Sequence, residues 1–301
     1  MENGAGVVAI YVLGSMQINL WLVAALFLVM AAFGSVVFGR KQGPSVRFIS
    51  WNIRYDTAED GEHRWEERKT RVVRWLKAEN APVIGLQEVL HGQLMALQKS
   101  LGSNYDWTGA GRDDGKTKGE YSPIAVDTTR MELLQKGMIW LSETPGQPSK
   151  GWDAALPRVC SWVQLRDKRM NELLWVFNTH FDHQGEEARR KSAQLINDSI
   201  QPWCSSDRVV LLGDFNETAD GSVWRTFQLG GLTDSKLLCE QPSGLDYSYH
   251  GFKPGWRKGK RIDFIWLRGF KTVHRHETPA LLDEKSNYAS DHAPIVVEVG
   301  W

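Results

Sequence analysis

Gly213-Asp214-Phe215-Asn216 and Ser290-Asp291-His292 are two short polar motifs, each abutting an apolar run. Val209-Val210-Leu211-Leu212 precedes the first, and Ala293-Pro294-Ile295-Val296-Val297 follows the second. The pattern recurs where Asn52 ends Phe48-Ile49-Ser50-Trp51-Asn52, where Glu88 ends Val83-Ile84-Gly85-Leu86-Gln87-Glu88, and where His180 ends Trp175-Val176-Phe177-Asn178-Thr179-His180. A carboxylate can deprotonate water, an imidazole can hand a proton to an oxygen, and carboxylate and amide oxygens can hold a hard cation. Together these groups point to metal-assisted phosphoester hydrolysis.

The apolar runs are the elements that must position them. Each is too short for an ordinary helix and shows no alternation, so each reads as a strand buried on both faces. Ligand sites of α/β sheets lie outside the carboxyl ends of the strands, so one pocket can collect Asn52, Glu88, His180, Asp214 and Asn216. Asp291 and His292 precede their strand, and they reach the same rim if that strand runs antiparallel to the others. Asp263 lies inside the apolar stretch Ile262-Asp263-Phe264-Ile265-Trp266, where a buried carboxylate needs a partner. Singly, these are cap, turn or strand-end residues. Packing does not require acids, amides and histidines at several independent strand ends at once.

The motifs carry a resemblance. Trp51-Asn52-Ile53, Gln87-Glu88-Val89, Thr179-His180, Gly213-Asp214-Phe215-Asn216, Ile262-Asp263-Phe264 and Ser290-Asp291-His292, spread over residues 46–299, occur in the order found in the endonuclease/exonuclease/phosphatase superfamily. The chain resembles that superfamily, which includes deoxyribonuclease I, neutral sphingomyelinases and inositol polyphosphate 5-phosphatases. Gly119-Glu120-Tyr121-Ser122-Pro123-Ile124, Trp140-Leu141-Ser142-Glu143-Thr144-Pro145 and Gly151-Trp152-Asp153-Ala154-Ala155-Leu156-Pro157-Arg158 are similar to a mainly bacterial branch of it. Asn52-Ile53-Arg54 resembles the deoxyribonuclease I pattern, whereas abasic-site repair enzymes carry an acid where Arg54 stands, which weakens a repair role.

The resemblance implies an α/β fold, a four-layer sandwich of two mixed β-sheets flanked by helices. It implies that His292 pairs with Asp263 and His180 with Glu120, and that Arg158 contacts phosphate. A paired carboxylate would favour the protonated form of each imidazole, making it a donor to phosphate oxygens. Asn52 and Glu88 form a sparse oxygen set that suits Mg²⁺, with Mn²⁺ the alternative. Asp291 joins that set or orients its neighbours. Asp214 would orient or deprotonate the attacking water, while Asn216 and His180 hold water or phosphate.

Zinc competes through Thr179-His180-Phe181-Asp182-His183, but there is no C-x-x-C pair and no H-E-x-x-H helix. His183 and Asp182 read as rim residues. Cys160, Cys204 and Cys239 are dispersed and odd in number, so they do not form a disulfide framework.

The 301 residues, 42% hydrophobic and 24% charged, accommodate one sizeable α/β domain over residues 41–301 with an appendage over residues 1–40. Residues 18–38 carry no charge and can cross a bilayer core as a helix. A signal peptide would begin with a positive region, yet Glu2 is the one charged side chain before Arg40. A buried core helix is the other alternative, and a single-pass membrane anchor is the best reading. Arg40 and Lys41 would place the catalytic domain in the cytoplasm, with a periplasmic or external domain the alternative.

Residues 65–76, 91–101 and 186–200 show helical spacing, the first bringing Trp65, Val72 and Leu76 to one face. Residues 109–119, rich in Gly, Asp and Lys, read as a mobile loop. The formal net charge of zero lacks the basic excess of a high-affinity nucleic-acid binder. Residues 253–261 are nonetheless basic, carry Trp256, and could hold a phosphate backbone, a lipid headgroup or a small polyphosphate. The leading expectation is a membrane-anchored, Mg²⁺-dependent phosphodiesterase acting on DNA or RNA. A phospholipid or inositol-phosphate hydrolase is the alternative, and a noncatalytic membrane-bound binding module is the reading from another class.

Overall fold

The computed structural model describes residues 43–203, 207–253 and 259–301. The apolar stretch 18–38, Cys204 and most of the basic stretch 253–261 lie outside these residues. Among the described residues no helix is long and apolar enough to cross a membrane.

Gly43–Trp301 is one compact unit. Its strands are β1 (Ser45–Asn52), β2 (Val83–Gln87), β3 (Tyr105–Thr108), β4 (Ile124–Asp127), β5 (Met131–Trp140), β6 (Val159–Asp167), β7 (Leu173–His180), β8 (Arg208–Asp214), β9 (Thr233–Asp234), β10 (Ser243–Gly244), β11 (Asp263–Arg268), β12 (Thr272–Thr278) and β13 (Ile295–Gly300). The helices are α1 (Trp65–Glu79), α2 (His91–Leu101), α3 (Glu186–Trp203), α4 (Ser222–Leu229) and α5 (Ser235–Leu238). One mixed sheet has the order β10-β12-β13-β1-β2-β4-β3, the other β5-β6-β7-β8-β11-β9.

The four apolar runs thus divide between two sheets. β1 and β2 pair in parallel in one, β7 and β8 in the other. Uninterrupted apolar sequence follows from the layering, because each sheet is covered on both faces. Val210 and Leu212 pack with Phe48, Val83 and Ile265 between the sheets, while Val209 and Leu211 pack outward with Ile196 and Phe227 of α3 and α4. On the other outer face, Ile49, Trp51 and Ile84 meet Val72, Leu76 and Leu97 of α1 and α2.

One polar bridge crosses the inter-sheet core just behind the strand ends. Gln87 Nε2 donates to Asn178 Oδ1 at 2.7 Å and to Ser50 Oγ at 3.3 Å, while Asn178 Nδ2 donates to the Leu86 and Pro123 carbonyls at 2.8 and 2.9 Å. A Cβ on Gly85 would come within 2.8 Å of Asn178 Oδ1, so a glycine is needed for this approach. Asn178→Leu keeps the branched shape but removes the side-chain donor to the Leu86 and Pro123 carbonyls and the nearer acceptor of Gln87 Nε2, which keeps Ser50 Oγ at 3.3 Å. It is expected to cost about 3 kcal/mol of stability, read from denaturant unfolding, since each buried unsatisfied group costs about 1–3 kcal/mol.

Residues 109–119, expected to be a mobile loop, fold back on themselves instead. Gly111 N–H bonds the Lys116 carbonyl, Asp113 N–H the Lys118 carbonyl, and Asp114 Oδ1 accepts from the Lys116 and Lys118 N–H groups.

Candidate active site

Strand register builds half of the site. Asp214 at the end of β8 lies directly opposite Asp263 at the start of antiparallel β11, and beside His180 at the end of parallel β7. β13 runs antiparallel to β1, and the segment before it returns to the same rim. There Ser290 Oγ donates to the Asn52 carbonyl at 2.7 Å and Trp51 Nε1 to the His292 carbonyl at 2.9 Å. The two sheets therefore share one rim.

Asp214 is central. Its Oδ2 accepts from Asn52 Nδ2 at 3.0 Å and lies 3.6 Å from His180 Nε2 and 3.7 Å from His292 Nε2. Its Oδ1 accepts the Asn216 N–H at 3.0 Å. Burial and the charge of Asp263 raise its carboxyl above the usual range, which strengthens it as a base.

Asp263 finds its partner in His292, whose Nδ1 donates to Asp263 Oδ2 at 2.8 Å. Burial opposes a charge on His292, but Asp263 and Asp214 raise its pKa well above the ordinary value. The ring is held as an imidazolium with Nε2–H facing Asp214. Ser248 Oγ accepts the Ile262 and Asp263 N–H groups and so fixes the start of β11.

His180 differs from the expectation. Burial, with the Arg158 guanidinium next, lowers its pKa to about 3, so the ring is neutral. Asn216 Nδ2 donates to its Nε2 at 3.1 Å and to the Phe181 carbonyl at 3.0 Å, which places the ring proton on Nδ1. Glu120 does not form the expected hydrogen bond with it. Arg112 holds both Glu120 oxygens at 2.8 and 2.9 Å, leaving Oε2 3.6 Å from His180 Nδ1. Arg158 is partly engaged. Its Nε bonds Asp182 at 3.2 Å and its Nη2 meets His183 Nδ1 at 3.1 Å, within a 4% exposed side chain. Its Nη1 has no hydrogen-bond partner among the described residues. Asp182 organises the rim turn by accepting the Ala155, Gln184 and Gly185 N–H groups, which leaves it unsuited to zinc.

The expected cation ligands were Asn52, Glu88 and Asp291. Glu88 Oε1 accepts from Asn52 Nδ2 at 2.9 Å and its Oε2 accepts the Tyr55 N–H at 3.1 Å. Asn52 thus turns its NH₂ toward two buried carboxylates, and its oxygen accepts the Arg54 N–H at 3.0 Å. An amide oxygen facing Glu88 is not the arrangement found, because the carboxylates attract the amide donors. Burial, with the Glu88 charge adding to it, pushes the Asp291 carboxyl up to about 6. Asp214, Asp263 and His292 form a second group with ligand atoms within 4.8 Å of one another. Its histidine is already bonded to Asp263, and a hard cation prefers oxygen, so Glu88 and Asp291 are the better holders. Glu88 and Asp291, two buried carboxylates in each other's field, fit a divalent cation.

Backbone strain marks the same rim. Arg54, Glu88 and Asn216 have φ of 58°, 59° and 49°, a left-handed conformation that costs a non-glycine residue about 1–2 kcal/mol. Three participants escaped the sequence reading. Arg112 fixes Glu120, Ser248 fixes Asp263, and Tyr249 sets its ring 5.0 Å from that of His292. Only Arg112 had a signal, eight residues before Glu120 in a charged stretch.

Residues 49–292 match the model of the Endonuclease/Exonuclease/phosphatase family. Among solved structures, the chain is 36% identical to such a protein from Bacteroides vulgatus, covering 85% of this chain and 98% of that one at a TM-score of 0.81. It is 32% identical to a mannosyl-6-phosphatase of Bacteroides thetaiotaomicron, covering 85% and 100% of the two chains at a TM-score of 0.80. A zebrafish (D. rerio) TDP2 complexed with a single-stranded DNA product is 18% identical over 85% of this chain and 99% of that one at a TM-score of 0.66, a likeness of fold alone. A curated mimivirus protein is 30% identical over 161 residues, which span 51% of this chain and 60% of that protein. The chain belongs to the endonuclease/exonuclease/phosphatase family, whose members are metal-dependent phosphoester hydrolases.

Proposed function

We propose that the protein is a Mg²⁺-dependent hydrolase of small phosphate esters, with sugar phosphates the leading substrates. The observation that carries the hydrolytic reading is Asp214 Oδ2, within 3.7 Å of two imidazoles of opposite protonation and bonded to the Asn52 amide that touches Glu88. Asp214 takes the proton of the attacking water. The water oxygen bonds phosphorus as the ester P–O bond breaks; His292, charged and oriented by Asp263, donates Nε2–H to a phosphoryl oxygen, and the departing alkoxide takes its proton from solvent water. Asn216, its NH₂ held by neutral His180 and the Phe181 carbonyl, keeps an amide oxygen that can accept from the attacking water. Glu88 and Asp291 would hold the cation, which supplies charge neutralisation of the phosphoryl group when bound.

The small-ester reading has two supports: the 32% identity to a mannosyl-6-phosphatase and the formal net charge of zero. The nucleic-acid expectation leans on the resemblance of Asn52-Ile53-Arg54 to the deoxyribonuclease I pattern and on a basic stretch whose residues 254–258 lie outside the described structure. Phosphate release from mannose 6-phosphate, compared with cleavage of single-stranded DNA and bis-p-nitrophenyl phosphate, tests the choice. The monoester should turn over faster. DNA turnover that is faster, and that falls steeply with salt as backbone binding does, would reverse it.

We also propose that residues 18–38 anchor the chain, with the catalytic unit cytoplasmic. The supports are the uncharged stretch and the following Arg40 and Lys41. Membrane fractionation with protease accessibility checks this, and recovery in the soluble fraction would reject it.

A further inference from the structure

Helix α1 buries a charge on its apolar face. Trp65, Val72 and Leu76 form that face, and Arg68, at the same helical spacing, is 0% exposed. A leucine would satisfy ordinary packing there, whereas a buried guanidinium is costly unless every N–H group is used. Arg68 spends its donors on carbonyl oxygens. Nε bonds the His63 carbonyl, Nη1 the Ile53 carbonyl at 2.6 Å and the Ala289 carbonyl at 3.0 Å, and Nη2 the Arg54 carbonyl at 3.1 Å. The Trp65 and Phe252 rings lie 5.7 and 5.6 Å from it. Burial lowers its pKa to about 10, with Asp291 and Asp60 working against that fall, so the charge persists at neutral pH.

The choice of carbonyls is informative. Ile53 and Arg54 directly follow Asn52, and the backbone they hold presents the Arg54 N–H to Asn52 Oδ1 and the Tyr55 N–H to Glu88 Oε2. Ala289 directly precedes Ser290, whose hydroxyl bonds the Asn52 carbonyl, and Asp291 follows. One side chain therefore ties together the backbone segments that bear or orient three carboxylate and amide groups of the site, reaching a carbonyl 221 residues away from its own position in sequence. Stapling α1 to the sheet would need none of these particular acceptors.

We propose that Arg68 is a positioning residue for the cation site, setting the spacing of Asn52, Glu88 and Asp291 through the backbone around them. This rests on the reading that Glu88 and Asp291 hold the cation, with Asn52 orienting Glu88. It acts as supporting groups around metal ligands do, whose loss costs about 10- to 100-fold in metal affinity.

The test uses the full chain and Mg²⁺ as the probe, with titration calorimetry on folded protein below its unfolding midpoint. Arg68→Lys keeps a charge but loses the planar fork, and should weaken Mg²⁺ binding at least about 10-fold. Val72→Ala, on the same face but touching none of these carbonyls, should lower the unfolding midpoint and leave Mg²⁺ affinity unchanged. If Arg68→Lys lowers only the midpoint and its Mg²⁺ affinity stays within twofold, the residue is structural and the proposal falls. Hydrogen exchange of the unaltered, metal-free chain gives an answer even if Arg68→Lys does not fold. The amides of residues 53–55 and 289–291 should open together, and opening at clearly different free energies would overturn the proposal. Failure of the unaltered chain to bind Mg²⁺ would instead remove the cation reading on which the proposal rests.

Discussion

Asp214→Asn is expected to lower kcat by about 10²- to 10⁴-fold, the range for loss of a general base, with Mg²⁺ affinity and KM little changed. The substitution is isosteric. It retains an oxygen for the Asn216 N–H and abolishes the one basic group that both imidazoles face at 3.6 and 3.7 Å. The loss should be in turnover because this carboxylate, raised above its usual range by burial and by Asp263, is matched to accepting a proton. Steady-state kinetics decide the point, and turnover within tenfold of the unaltered enzyme would remove Asp214 from the role.

Asp263→Asn is expected to lower kcat to a similar degree, about 10²- to 10⁴-fold, for a different reason. The Asp263 carboxylate is the largest favourable influence on the His292 charge, and its 2.8 Å bond fixes Nδ1 as the donor that leaves Nε2–H facing Asp214. An amide oxygen can still accept from Nδ1–H, but without the carboxylate's charge the ring becomes neutral with its one proton on Nδ1, which removes the proton that Nε2 aims at phosphate. Because Asp214 and the Asp263–His292 pair are in contact and serve the same transition state, the Asp214→Asn/Asp263→Asn double variant should lose far less than the product of the single losses. Multiplicative losses would separate the two residues.

Much of the fold was legible because its strands obey one rule. Val209-Val210-Leu211-Leu212 is apolar throughout since both faces of its sheet are covered, and polarity resumes at Asp214 where the strand leaves the core. The helix over residues 91–101 follows from an equally local signal, whereas the antiparallel direction of the strand after His292 entered as a condition that β13 meets against β1. The division of the four runs between two sheets was implied by resemblance alone, because a strand's sequence reports its coverage and not its neighbours.

The residues gathered at the rim were also legible, and the resemblance implied the His292–Asp263 pair that the structure contains, while the partners of Glu120 and Arg158 were not legible. Glu120 and His180 lie near each other, but Arg112 offers the carboxylate a bidentate partner that a neutral imidazole does not match. Arg158 sits beside His180 yet faces Asp182 for the same reason, and its nearness helps keep the imidazole neutral. Such contests among charged side chains depend on tertiary placement. Arg68 was hidden differently: α1 displayed its apolar face through Trp65, Val72 and Leu76, and the charge on that face passed as an interruption.

The most direct test of metal-assisted hydrolysis at Asp214 is phosphate release by the full chain from mannose 6-phosphate and p-nitrophenyl phosphate, titrated with Mg²⁺ after removal of metal by EDTA. The expected result is turnover abolished by EDTA, restored by Mg²⁺ and lost in Asp214→Asn. Turnover that survives EDTA, or that Asp214→Asn retains in full, would contradict it.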